Sequence, residues 1–215
     1  ESRGLGDVYK RQFINSASPG VILNFLPNKF YKNDDDYLEA LSKMMKTEYD
    51  EITKNDLLLQ IDCPDLALAR HMTFKNVSDE EFLVRAEKQI ECLNEATKDI
   101  DASKLRMHIC WGNYEGPHIH DIGLEKILPI ALKANIQTYL IEASNPRHAH
   151  EWQVFENIKL PNDKVIVPGV IDSTSNFIEH EELVKNRIIQ YSKVIHKDQL
   201  MAGSCLLYTS DAADD

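Results

Sequence analysis

"LRMHICWGNYEGPHIHD" (residues 105–121) opens as an apolar run of strand type and turns abruptly polar, with His108 and Cys110 two positions apart where the run ends. On a strand, residues i and i+2 project from the same face, so the two side chains can share one partner. The same layout recurs along the chain. "LLLQID" (57–62) ends in Asp62, "TYLIEA" (138–143) carries Glu142 near its end, and "KVIVPGVID" (164–172) ends in Asp172. Four successive runs therefore place metal-ligand or acid–base residues at their C-terminal ends. "VILNF" (21–25) and "QLMAG" (199–203) extend the series to six expected strands.

Segments of helical period lie between these runs, at 34–52, 78–97, 121–134, 148–158 and 178–195. Ser78 followed by Asp79, Glu80 and Glu81 reads as an N-cap with acids in the first turn, which suits the helix dipole. Strands alternating with helices predict an α/β fold with a parallel sheet. In a (β/α)8 TIM barrel the C-terminal strand ends converge on one mouth, where active sites sit. A doubly wound dinucleotide fold needs a glycine-rich first turn, which this chain lacks. The barrel is the expected architecture, represented by about six of its eight strands as a truncated fragment.

Both ends read differently from the rest. "ESRGLGDVYKRQ" (1–12) and "CLLYTSDAADD" (205–215) have neither helical nor strand periodicity. One DNA word accounts for parts of both: GAT GTG TAT AAG AGA CAG encodes "DVYKRQ", and its reverse complement, shifted by one base, encodes "CLLYTS". Residues 1–12 and 205–215 are therefore expected to be non-native, adapter-derived ends, with the barrel domain spanning 13–204 and Cys205 foreign to it.

The chain carries 24 basic and 35 acidic residues, a net charge of −11, and no basic run. This argues against nucleic acid and against an anionic membrane surface as partners. No apolar stretch approaches the roughly 18 residues of a membrane span, and a cytoplasmic enzyme is expected. Cys63, Cys92 and Cys110 are odd in number and irregularly spaced, so they form no disulfide framework. Oligomeric state is left open by the sequence.

Residue type alone leaves several roles open. His108 and Cys110 are either a packed core pair or half of a zinc site, for imidazole plus thiolate suits zinc. Glu142 is either a third ligand or a partner of Arg147. Asp62 and Asp172 are either acid–base residues or caps and ion-pair partners, while Cys63 and Cys92 read as structural. His118, His120, His148 and His150 form a loop cluster. Their shared placement at consecutive strand ends is what raises the metal reading.

The motifs "SPG" (18–20), "LLLQIDCPDLA" (57–67), "HICWGN" (108–113), "IEASNPRHAHEW" (141–152) and "VIVPGVIDSTSNFIEH" (165–180), in that order, resemble the catalytic barrel of cobalamin-independent methionine synthase. They are similar also to its single-domain relatives, which include the zinc-dependent epoxyalkane:coenzyme M transferases. The resemblance spans nearly all of 13–204 and implies a barrel enzyme whose zinc activates a thiol for alkylation. His108 and Cys110 then match the family's His-x-Cys zinc ligands and Glu142 its glutamate ligand. The family's fourth ligand, a cysteine in an Asp-Cys-Gly turn, would fall just past Ser204.

On the same pattern, Asp62 matches the aspartate that grips the amino group of homocysteine, and the Ser18 region a backbone segment near the substrate carboxylate. Asp121 and Asp172 also fall on the pattern. Two departures are visible. Thr174 in "DSTS" stands where methionine synthase has a proton-shuttle histidine, and Cys63 replaces the glutamate of an Asp-Glu-Pro motif. The insert "WGNYEGPHIHD" belongs to the relatives. The expected activity is zinc-dependent transfer of a methyl or alkyl group to a substrate thiol, with methyltetrahydrofolate as one candidate donor in the methionine-biosynthetic version. A coenzyme M-type thiol alkyltransferase and a metal-dependent lyase on the same barrel are the alternatives. His118 or His120 is the expected proton donor to the leaving group.

Overall fold

The computed structural model describes residues 12–112 and 116–205. All but Gln12 and Cys205 of the adapter-like ends thus lie outside the described residues. The chain divides into two compact units, one up to Thr138 and the other from Tyr139 onward.

The first unit contains β1 (Phe13–Ala17), α1 (Pro19–Phe25), α2 (Asp34–Lys54), β2 (Leu58–Asp62), α3 (Leu68–Met72), α4 (Asp79–Thr97), β3 (Leu105–Ile109) and α5 (Leu124–Ala131). β1 and β3 flank β2, both parallel to it, in a register that sets Ala17 beside Asp62 and Asp62 beside His108. Leu59, Ile61, Leu105, Met107 and Ile109 are fully buried at alternate positions, and so on one face of each strand. Met45 and Tyr49 of α2 and Phe82 and Leu93 of α4 supply the helical side of this core. α4 starts where the sequence predicts. Ser78 Oγ accepts from the Glu81 N–H, the Glu81 carboxylate accepts from the Ser78 N–H, and three acids occupy the first turn.

The second unit comprises β4, which begins at the boundary residue (Thr138–Glu142), β5 (Val165–Ile171), α6 (Glu181–Ser192) and β6 (Gly203–Ser204). All five β4 residues are buried. β5 and β6 pair in parallel, Gly169 beside Gly203, and an isolated bridge joins Ile166 to Leu200. The six strands follow one another in the sheet in chain order. That order, with helical crossovers between parallel neighbours, is the strand succession of a (β/α)8 barrel, six strands of the eight. The expected α/β class is what the chain adopts.

One expected strand is a helix. "VILNF" lies within α1, and the first strand is instead "FINSA". A five-residue apolar run does not distinguish a strand from a helical turn. Here the local chemistry decides: Ser18 Oγ accepts from the Val21 N–H, and Pro19 takes the first helical position, where its missing N–H costs nothing. Similarly, only Glu151–Glu156 of the 148–158 segment is helical, as a 3-10 turn. Among the described residues no helix is long and apolar enough to cross a membrane.

Candidate metal centre and its surroundings

The end of β3 is organised around His108. Its Nδ1 lies 2.7 Å from Asp62 Oδ1, across the β2–β3 register that makes the two residues neighbours. An ionised carboxylate only accepts, so Nδ1 carries a proton, and in the neutral imidazole Nε2 then keeps its lone pair. Among the described residues that Nε2 is buried with no hydrogen-bond partner, although the residue is 1% exposed. An imidazole fixed by a carboxylate at one nitrogen and open at the other is the arrangement found behind metal-bound histidines.

Two residues on, Cys110 is half-buried, and its Sγ accepts the N–H of Gly112 at 3.1 Å. Gly112 has φ of +86°, and a Cβ there would stand 2.7 Å from a Leu68 methyl, so this turn requires glycine. Leu68 N–H donates to the Cys110 carbonyl at 3.0 Å, tying the start of α3 to the strand end. The loop that follows is stapled by fully buried Trp111, whose Nε1 donates to the Ile122 carbonyl at 2.7 Å.

That loop builds a second group of titratable side chains. His118 Nδ1 lies 3.0 and 3.1 Å from the two Asp121 oxygens. His71, on α3, stacks on His118 with ring centroids 4.7 Å apart, and its Nδ1 is 3.9 Å from Asp121 Oδ1. His71, His118 and Asp121 form a cluster capable of coordinating a metal ion, each offering one ligand atom within 4.8 Å of the others. Beside it opens a cleft of about 680 Å³ whose walls include Leu68, His71, Met72, Gly112, Pro117 and His120. Sequence reasoning missed His71, because "LARHM" gives no sign that this helix face meets a loop about fifty residues later.

Ser18 is buried and donates from Oγ to Asp65 Oδ1 at 2.6 Å. A Cβ on Gly20 would fall 2.1 Å from the other Asp65 oxygen, so the first turn of α1 closes over this carboxyl because residue 20 is glycine. Burial pushes Asp65 up from 3.8 to about 7, with the Ser18 hydrogen bond opposing the shift. The unfolded chain ionises this group near pH 4, whereas the folded chain holds its proton to about pH 7. Stability is therefore expected to fall as pH rises between those values, by up to about 1.4 kcal/mol per pH unit from this group. Urea unfolding from pH 4 to 8 should show this slope removed in Asp65→Asn, which still offers Ser18 an acceptor. An unchanged slope would show that the carboxyl is not the source.

In the second unit, Glu142 ends β4 and is 1% exposed, with Arg147 Nη2 3.9 Å from Oε2. Cys205 is buried, its N–H donating to the Ile171 carbonyl at 2.9 Å. Burial raises its thiol pKa, the Glu142 carboxylate raises it further, and a hydrogen bond with Ser144 opposes. Asp172 Oδ1 accepts both the N–H of Thr174 at 2.9 Å and its hydroxyl at 2.7 Å, an Asx turn that holds the two residues as one unit. His148 is buried, its Nδ1 3.0 Å from Glu151 Oε2.

Residues 25–210 match the family described as the catalytic domain of cobalamin-independent synthase. The chain is 28% identical over 185 residues to a methionine synthase from Saccharolobus islandicus (strain Y.G.57.14 / Yellowstone #1), covering 83% of this chain and 47% of that protein. It is 26% identical over 136 residues to 2-hydroxypropyl-CoM lyase from Xanthobacter autotrophicus (strain ATCC BAA-1158 / Py2), covering 52% of this chain and 36% of the lyase. In fold it is similar to a B12-independent methionine synthase from Shewanella sp. W3-18-1 solved with selenomethionine, with a TM-score of 0.68, 21% identity, and coverage of 90% of this chain and 55% of that one. The chain spans about half the length, or less, of these relatives.

Proposed function

The chain belongs to the family of the cobalamin-independent synthase catalytic domain, and on that premise we propose that it carries out zinc-dependent transfer of a methyl or alkyl group to a small-molecule thiol in the cytoplasm. The observation that carries this reading is His108: its Nδ1 is held by Asp62, its buried Nε2 has no described partner, and Cys110 follows on the same strand end. One imidazole of fixed tautomer beside one thiol fits zinc. Glu142 is the carboxylate that the family pattern supplies as a further ligand.

Zinc bound there supplies a Lewis acid that keeps a substrate sulfur as thiolate at neutral pH. The protein's own residues do the rest. The Gly112 N–H steadies the Cys110 sulfur, and Asp62 orients His108. The Asp62 side chain is 29% exposed, which leaves it able to meet an amino group of the thiol substrate as well. Ser18, through its contact with Asp65, anchors the α1 start near the substrate carboxylate. Asp172 and Thr174 move as one unit and shape the substrate site where the relatives place a shuttle histidine. His118 or His120, with Asp121, hands a proton to the leaving group.

Coenzyme M-type alkylation is the second reading, favoured by Thr174, Cys63 and the 111–121 insert, and a metal-dependent lyase using Asp62 and Asp172 is the third. The test is consumption of methyl and epoxide donors by the zinc-loaded protein with and without added thiol. Turnover that requires thiol supports transfer, and donor class separates the first two readings. Turnover without thiol favours the lyase, and zinc binding without turnover leaves a binding role only.

A further inference from the structure

We propose that His71, His118 and Asp121 form a second divalent-metal site, separate from the His108 and Cys110 centre. The donors come from two elements that are each held in place. α3, which carries His71, is fixed by the Leu68 N–H to the Cys110 carbonyl and by Arg70, which donates from Nε to Asp79 at 2.9 Å and from Nη1 to the Phe74 carbonyl at 3.0 Å. The loop bearing His118 and Asp121 is fixed by the Trp111 indole on the Ile122 carbonyl. Preorganisation of this kind removes much of the ordering cost of a metal site.

The stacked rings, 13° apart in plane, turn their Nδ1 edges toward the one carboxylate. Tetrahedral zinc with bonds of about 2.1 Å sets its donors about 3.4 Å apart. All three ligand atoms lie within 4.8 Å of one another, so binding draws the farthest pair together by up to about 1.4 Å, a side-chain adjustment. Two imidazoles and a carboxylate suit first-row divalent ions, and they leave coordination positions for water. The side chains of His118, Asp121 and His71 are 1%, 11% and 12% exposed, so the ligand atoms are largely sheltered from bulk water. The adjoining cleft, walled in part by His71 and His120, is the entry path and the space for those waters.

An ion here occupies both His118 and Asp121, so the proton transfer of the proposed function would fall to His120 on the cleft wall, without help from Asp121. The site itself does not depend on the alkyl-transfer reading. It contains no sulfur, so a metal in it gives no thiolate charge-transfer band.

The experiment is titration of the chelator-stripped full chain with Zn(II) by calorimetry, and with Co(II) by visible absorption, in four proteins: the parent, Cys110→Ser, His71→Gln and Asp121→Asn. The expected result is two equivalents in the parent. Cys110→Ser should keep one, spectrally free of thiolate bands, and His71→Gln or Asp121→Asn should keep one that shows those bands. His71→Gln changes a partly exposed helical residue, which keeps the test readable should Asp121→Asn disturb the loop. A parent that binds one equivalent, abolished by Cys110→Ser, overturns the proposal, as does a second equivalent that survives both His71→Gln and Asp121→Asn. Loss of one sulfur-free equivalent in the His71 and Asp121 variants, with Cys110→Ser unchanged from the parent, upholds this site while removing the His108 and Cys110 centre.

Discussion

Cys110→Ser is expected to abolish zinc binding at the strand-end centre, taking the metal from one per chain at that site to almost none. A serine hydroxyl does not ionise at neutral pH, so the exchange removes an anionic ligand and leaves a weak neutral one. The effect should exceed that of Asp62→Asn. Asp62 acts on the metal through His108, and losing a hydrogen-bonding partner of a ligand typically costs about 10–100-fold in affinity. This ordering also separates two roles for Asp62. A residue that only grips substrate would leave zinc affinity unchanged and raise KM alone, whereas one that holds the His108 tautomer lowers zinc affinity in the absence of any substrate. Metal content by mass spectrometry after dialysis, with competitive chelator titration for the affinities, reads both. Full zinc retention in Cys110→Ser would return His108 and Cys110 to the class of packed core residues.

Arg187→Ala is expected to cost about 3 kcal/mol of stability in the second unit. Arg187, on α6, donates from Nη2 to Glu179 Oε1 at 2.6 Å and from Nη1 to Oε2 at 2.9 Å, and Nη1 also donates to the Val170 carbonyl at 2.7 Å. Glu179 in turn accepts the Asp172 N–H at 2.7 Å, so this ion pair pins the end of β5 on which Asp172 and Thr174 depend. The side chains of Arg187 and Glu179 are only 12% and 11% exposed, too enclosed for water to replace the lost partner fully.

The Arg187 guanidinium holds the Glu179 carboxyl below its ordinary 4.5. A depressed carboxyl stabilises the fold above its unfolded pKa, and that contribution is lost as pH falls through the folded value. The penalty of Arg187→Ala should therefore be full at neutral pH and shrink in acid. Equilibrium unfolding at pH 7 and pH 3.5 tests this, with Arg187→Met/Glu179→Leu as the partner variant expected to cost less than Arg187→Ala. Equal penalties at both pH values would show that packing, not the ion pair, accounts for the loss.

Periodicity and the placement of polar residues were sufficient to read the α/β class, the four strands from β2 to β5, the start of α4 at Ser78 and the residues at those strand ends. These properties are local: a two-residue or 3.6-residue repeat is written in neighbouring positions, and a capping box spans four residues. "VILNF" was not legible, because five apolar residues satisfy either period and the decision rests on Ser18 and Pro19 before them. Tertiary structure alone decided which side chains meet. The Asp62–His108 pair depends on strand register, Ser18 with Asp65 on a turn of α1 closing over a loop, and His71 with Asp121 on α3 packing against the loop after β3. Each joins residues about fifty positions apart, where no sequence period reaches, and each sets a property, whether a tautomer, a raised carboxyl pKa or a ligand cluster, that residue type alone does not carry.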